Sequence, residues 1–449
     1  MSVHPVRNSR MGDILQGGKT SNAVKLSRRD KELLDGQQGK AAQMAMRILV
    51  RMAEVDGAAE MMDVSQAHID GCGLLSEAGL EFAETLAAKG AKVAIPTTLN
   101  MGPLDLQNWR QFGVDEDFAA KAIRQAKAYT DMGCIPTWTC APYQSYLTPR
   151  FGQQIAWGES NAICYANSVL GARTNRYGDY IDICAAITGR VPKCGLHLKQ
   201  NRKGQILLRL ADIDPAIIRS NAFYATLGHL IGSLVDDKIP VIEGLATEVS
   251  SDQLKALCAA AASSGAVALF HAVGVTPEAN TLEEAFQGDN PESVIDIRLS
   301  DLRKSYSDLC TVKEGTNLDL IVLGCPHFSF DEFRELANLI QTETEKGKTL
   351  HPRVQFVVIS CQTSYALLQR SEFFNVLADF GVDITLDTCV FHTPMVSPDT
   401  KVIMTNSGKF AYYAPGELGV QVAFGTMAEC VESAVKGHVC RNEILWKES

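Results

Sequence analysis

One local pattern recurs along this chain and limits what it can fold into: a short apolar run that stops at polar or turn-forming residues, separated from the next by a stretch with helical spacing. It occurs at residues 92–96, which run into Thr97-Thr98-Leu99-Asn100, and again at 266–271, 318–323, 354–359 and 382–386. Short apolar runs joined by helices are the pattern of parallel strands buried on both faces, whereas half-solvated antiparallel strands alternate. The expected fold class is therefore α/β, a multi-lobed chain whose parallel sheets are flanked by helices. In such sheets ligands collect outside the carboxyl ends of the strands, which is where the polar tips fall.

A chain of 449 residues exceeds one ordinary core, so two or three compact units are expected. Residues 1–30 are polar and basic and read as a flexible extension. An amphipathic helix follows over 30–56, with Ala41, Met44, Ala45, Ile48 and Leu49 on one stripe. A second helix is expected over 79–90. The Lys238-Ile239-Pro240-Val241 stretch suggests a border that divides the rest into lobes at 31–240 and 241–449.

Charge narrows the partners. With 52 acidic against 42 basic residues the formal charge is -10, so the chain has no general basic face for a nucleic acid. No apolar run is long enough for a bilayer, and the first residues lack the apolar segment of a secretion signal, which makes the cytoplasm the expected address. Thirteen cysteines in that compartment stay reduced. Cys164, Cys184 and Cys258 lie in Ala- and Ile-rich stretches and read as core, whereas Cys140, Cys325 and Cys389 lie in turns rich in Pro, Thr and Asp.

Those three share a context. Cys140 sits in Thr139-Cys140-Ala141-Pro142, Cys325 follows Leu320-Ile321-Val322-Leu323-Gly324, and Cys389 follows Leu386-Asp387-Thr388. Thiolates from separate strand tips can converge on iron and leave one position open to substrate. A metal-free enzyme in which His327 activates Cys325 fits the same residues.

Other polar groups stand where burial is expected. Glu159, Ser160, Asn167 and Ser168 are candidates to meet a substrate carboxylate, with Arg173 as a two-pronged partner. For Ser160 and Thr174 a helix cap or a structural hydrogen-bond network is an equal alternative. His68, beside Asp70 and Gly71, is compatible with a proton carrier. Thr405-Asn406-Ser407-Gly408-Lys409 has the parts of a small anion-binding turn, without the glycine spacing of a nucleotide loop.

Taken in order, these segments resemble the aconitase X family, a branch of the aconitase superfamily of iron-dependent hydro-lyases. The resemblance runs from about residue 30 to 430. It rests on Ala67-His68-Ile69-Asp70-Gly71, Pro96-Thr97-Thr98-Leu99-Asn100, Cys140-Ala141-Pro142-Tyr143, Trp157-Gly158-Glu159-Ser160 and the 166–174 stretch. Gly195-Leu196-His197-Leu198, Gly274-Val275-Thr276-Pro277-Glu278, Gly324-Cys325-Pro326-His327 and Asp387-Thr388-Cys389 complete it.

The resemblance implies that Cys140, Cys325 and Cys389 hold an iron–sulfur cluster or a mononuclear iron. It makes His68 and Glu159 proton carriers, and Thr97, Thr98, Asn100, Ser160, Asn167, Ser168, Arg173, Thr174, Ser407 and Lys409 substrate contacts. It further implies a swivelling domain bearing the catalytic serine, which has no counterpart here and is expected as a small partner subunit. The substrate is expected to be a small hydroxy acid, cis-3-hydroxy-L-proline in preference to mevalonate 5-phosphate. A non-catalytic binding subunit is the remaining alternative.

Overall fold

In this computed structural model, residues 23–246 and 248–442 are described, so most of the extension expected at 1–30 lies outside the described residues. The described strands form four sheets, three of them wholly parallel. A first unit contains β1 (Met61–Asp63), β2 (Ala67–Ile69), β3 (Thr97–Leu99), β4 (Ala156–Trp157) and β5 (Arg190–Pro192). Within it β2 lies between parallel β3 and β4, and β1 pairs antiparallel with β5. A second contains β6 (Ile206–Leu210), β7 (Pro240–Glu243), β8 (His271–Ala272) and β9 (Ser293–Ile297), in the order β8-β7-β6-β9. The third contains β10 (Leu320–Leu323), β11 (Gln355–Ser360), β12 (Val382–Leu386), β13 (Val402–Thr405) and β14 (Gln421–Phe424), in the order β12-β11-β10-β13-β14.

The third sheet shows why its tips matter. From β10 the chain winds outward through β11 and β12, then returns to the other flank of β10 as β13. The connections leaving β10 and β13 diverge at such a reversal, and a crevice opens between their carboxyl ends. Every residue of β10 and β13 is buried, as strands covered on both faces must be. Gly324, the first residue beyond β10, has φ +93°, and a Cβ there would stand 2.0 Å from the Ile359 carbonyl oxygen. Only glycine lets the chain turn this tightly against β11 and deliver Cys325 to the crevice.

Several expectations shift. The single helix over 30–56 is two, Arg28–Leu34 and Lys40–Val55, because Gly36 and Gly39 take φ +79° and +99° and break the helical path. Residues 92–96 form no strand; their polar tip does, as β3, whose threonine hydroxyls are bonded to the Ile95 and Ala67 carbonyls. The helix expected over 79–90 is Glu77–Ala88. The border expected at 240 falls inside the second unit, where β7 pairs with β6 across it. Pro240 opens β7, a strand position that proline tolerates. Among the described residues no helix is long and apolar enough to cross a membrane.

Residues 23–30 are docked rather than loose. Ser27 caps the first helix, and Asp30, fully buried, meets Arg190 of β5 at 2.7 Å and 3.1 Å. Burial alone would raise the Asp30 carboxyl, but the Arg190 guanidinium and Ser27 hold it below its ordinary value. Asp30→Asn removes the buried charge-assisted bonds to Arg190, which keeps its 2.8 Å pair with the exposed Asp63, so it is expected to cost about 2 kcal/mol at neutral pH. Because the folded-state pKa is depressed, this stabilisation is complete above the unfolded value of about 3.9 and disappears as pH falls through the folded one. Wild-type and variant unfolding curves should therefore converge in acid. A second prediction concerns Gly324: Gly324→Ala should lower Tm far more than Gly347→Ala, where φ is +75° but nothing lies within 4 Å of the added Cβ.

Candidate active site

The strand tips of the first and third units face one cavity of about 300 Å³. Cys140, Cys325 and Cys389 all line it, together with Glu159, Ser160 and Lys409. Cys140 precedes the short helix Pro142–Gln144, Cys325 follows β10, and Cys389 follows β12. Glu159 follows β4 and caps the helix Ser160–Ser168; Lys409 opens the helix Gly408–Glu417 after β13. Glu159 and Lys409, 250 positions apart, thus meet because each follows a parallel strand; Cys140 instead sits in the loop that runs from Ile135, bridged to Thr98 of β3, into its short helix.

The central contact is an ion pair between Lys409 Nζ and Glu159 Oε1, 2.9 Å apart, with both side chains mostly buried. Oε1 also accepts from Asn161 Nδ2 at 2.7 Å, Asn161 N at 3.1 Å and Ser160 Oγ at 3.2 Å. Oε2 accepts from Asn100 Nδ2 at 3.1 Å. Burial would raise the Glu159 carboxyl, yet Lys409 and these donors hold it far below the usual carboxylate range. Burial likewise disfavours the Lys409 cation, and Glu159 more than restores it. Glu159 is therefore an ionised group with both oxygens hydrogen-bonded, and it holds the ammonium in place. Lys409 has three donors and one is used on Glu159, which leaves it able to bind a ligand anion.

Further acids border this pair. Asp70, just past β2, accepts from Asn100 Nδ2, so one amide bridges Asp70 and Glu159. Asp179 also lines the cavity, and Asp182 lies behind Asp70, accepting from its backbone N–H at 2.6 Å. Burial, then the charges of Glu159, Asp179 and Asp182, push Asp70 well above its ordinary value. Burial pushes Asp182 up to about 7. These carboxyls face too little positive charge, and their site favours a cationic group.

The thiols are not activated. Burial pushes Cys140 well up, Cys389 up to about 12, and Cys325 up against the opposing effect of Lys409. A nucleophilic thiolate needs the reverse environment. Thiols collected in a buried pocket, with the neutral imidazoles of His327 and His392 beside them, are instead a soft donor set that a bound metal would deprotonate. Among the described residues no three His, Cys, Asp or Glu side chains converge closely enough to hold one ion.

The other expected residues divide by position. His68, fully buried in β2, does not reach the cavity lining; its Nδ1 meets Thr98 Oγ1 at 2.8 Å, and burial pushes it down to about 3, so it stays neutral. Thr97 donates to the Ile95 carbonyl and Thr98 to that of Ala67 in β2, and Asn100 acts through Glu159 and Asp70. Ser407 accepts from Phe410 N at 3.0 Å and donates to the Cys325 carbonyl, so it shapes the cysteine turn from behind the cavity.

Asn167, Ser168 and Thr174 belong to a clamp between the first and second units. Asn167 Nδ2 donates to the Thr174 and Ala268 carbonyls, each at 3.0 Å. Its Oδ1 accepts from Arg202 Nη1 at 3.0 Å, and Ser168 Oγ accepts from Phe270 N at 2.9 Å. Arg173 faces a separate cleft with Arg202 and Glu278. The 159–174 motif spans a helix, and its two ends open in different directions. Sequence reading passed over Asp179 and His392; the signal for His392 was its place three residues after Cys389 in the same turn.

Profiles of the aconitase X first, second and third domains match residues 23–200, 204–307 and 318–436. The cis-3-hydroxy-L-proline dehydratase of Pseudomonas aeruginosa is 44% identical over 93% of this chain and 71% of its own length. The phosphomevalonate dehydratase large subunit of Methanothermobacter thermautotrophicus is 36% identical over 89% of this chain and 96% of its own. The crystal structure of Thermococcus kodakaraensis aconitase X in its holo-form superposes with a TM-score of 0.82 at 31% identity, covering 92% of this chain and all of that one. Matched by family profiles across all three units, the chain belongs to the aconitase X family.

Proposed function

We propose that this chain is the iron–sulfur-binding part of a dehydratase that removes water from cis-3-hydroxy-L-proline, and that it works with a small swivel-domain subunit carrying the catalytic serine. The observation that carries the substrate choice is the charge of the cavity. Its lining offers one cation, Lys409, against Asp70, Glu159, Asp179 and Glu417. A zwitterionic amino acid matches this: its carboxylate meets Lys409 and its ammonium meets the uncompensated acids. Mevalonate 5-phosphate carries a carboxylate and a phosphate, and would place both against a lysine already paired with Glu159. The 44% identity to a hydroxyproline dehydratase supports the same choice. The two-subunit arrangement is supported by relatives named as large subunits, whose lengths this chain nearly fills.

Cys140, Cys325 and Cys389 would hold the cluster. When bound, its iron supplies Lewis acidity toward the leaving hydroxyl. The chain's own residues do the rest of the positioning. Lys409, fixed by Glu159, holds the carboxylate and stabilises the negative charge that spreads onto it as the neighbouring proton leaves. Asp70 and Asp179 fix the ring nitrogen, and a walled cavity limits competing water.

Co-expressed with its small subunit and reconstituted anaerobically, the chain should convert cis-3-hydroxy-L-proline to a pyrroline carboxylate and leave mevalonate 5-phosphate untouched, as product analysis by mass spectrometry will show. Consumption of the phosphate alone would overturn the charge argument. Lys409→Ala should reduce kcat/KM by about 10²-fold or more, since among the described residues lining the cavity it is the one cation that can face the developing charge.

A further inference from the structure

His327 is nearly fully buried, and its bonds reach all three cysteine-bearing turns. It stands two residues after Cys325 in the turn that follows β10. Its backbone N–H donates to Cys140 Sγ at 3.2 Å. Its ring Nε2 lies 2.8 Å from the carbonyl of Thr388, the residue before Cys389. A carbonyl can only accept, so Nε2 carries the proton and the tautomer is set. Its own carbonyl accepts at 3.2 Å from Lys255 Nζ, which is anchored between Asp252 and Glu332. The Cys389 turn is held from its other side by the first unit: Thr388 Oγ1 donates to the Gly102 carbonyl at 3.2 Å, and Thr393 Oγ1 donates to that of Pro103 at 2.8 Å.

The three cysteines come from three different loops, and no peptide segment spaces them. Among the described residues, the ring of His327 makes the side-chain hydrogen bond that ties the Cys325 turn to the Cys389 turn, while its backbone ties the same turn to Cys140. We propose that His327 is the positioning residue of the cysteine triad: its Nε2–H to Thr388 sets the separation at which the triad accepts a cluster. The inference rests on the reading of Cys140, Cys325 and Cys389 as cluster ligands. It assigns His327 a role through those ligands and no contact with substrate.

The role is testable by chemistry that a space-filling residue could not reproduce. The amide nitrogen of glutamine falls near the position of Nε2, whereas that of asparagine falls near Nδ1. Only His327→Gln can therefore rebuild the bond to the Thr388 carbonyl. The full chain and its His327→Gln, His327→Asn and His327→Leu variants are each reconstituted anaerobically with ferrous iron and sulfide. Bound iron and sulfide per chain and the visible circular dichroism are then measured, with thermal unfolding of the unloaded proteins as the control for folding.

His327→Leu and His327→Asn should lose affinity for iron by about 10-fold to 100-fold, the range usual for groups that orient metal ligands, and His327→Gln should recover most of it. Equal loading of all three variants, or failure of His327→Gln alone to load among variants that fold, would refute the role of the ring. A wild-type chain that takes up no iron and sulfide would instead refute the cluster reading itself. A variant that does not fold is replaced by Thr388→Pro, which keeps the accepting carbonyl but shifts the backbone presenting it. Loading at the wild-type level there would also count against the proposal.

Discussion

The ion pair between Glu159 and Lys409 is the contact on which the cavity depends. It joins the end of β4 in the first unit to the start of the helix after β13 in the third, at 2.9 Å and out of water. A buried pair is stable only when its remaining lone pairs and protons are satisfied. Here Asn100, Asn161 and Ser160 complete the carboxylate, and each comes from a strand tip or helix start of the first unit. Removing either charge would leave the other stranded between two lobes, so the pair both positions a cation and couples the packing of the units.

Around that pair the cavity is built from groups that burial keeps neutral. Asp70 and Asp182 are held up, the three thiols remain protonated, and His327 and His392 are both pushed down to about 4. A pocket of this kind responds strongly to an arriving positive charge, which converts thiols to thiolates and carboxyls to carboxylates. A bound metal and an ammonium-bearing ligand would each draw on that same tendency. Asp70, Glu159 and Asp179 lie on the first unit, whereas Glu417 and two of the cysteines lie on the third.

How much of this was readable differs from residue to residue. Cys140, Cys325 and Cys389 were legible as a group because each stands in a turn holding Pro, Thr or Asp, with Cys325 and Cys389 after apolar runs. Glu159 and Lys409 were readable as polar groups in such turns, but not as partners. Asn167, Thr174 and Arg173 were misplaced for a physical reason: from the sequence a polar residue in an apolar stretch announces only that it needs a partner. In this fold that partner is the second unit, through Arg202 and Ala268. His68 was read as titratable because an imidazole stands beside an acid, while its complete burial in β2 holds it neutral.

The amino-acid sequence alone determined that the chain would build parallel sheets covered by helices, and that the chemistry would collect at their carboxyl ends. These follow from short-range facts: which runs are apolar, where glycine permits a left-handed turn, and where a hydroxyl or acid can cap a helix. Only the tertiary structure decided which tips face one another. It set Lys409 against Glu159, placed Asp70 and Asp179 in the same cavity, and turned Arg173 away. Such pairings span as many as 250 residues and depend on strand order and on the direction in which each connection leaves its sheet, quantities that no local pattern encodes.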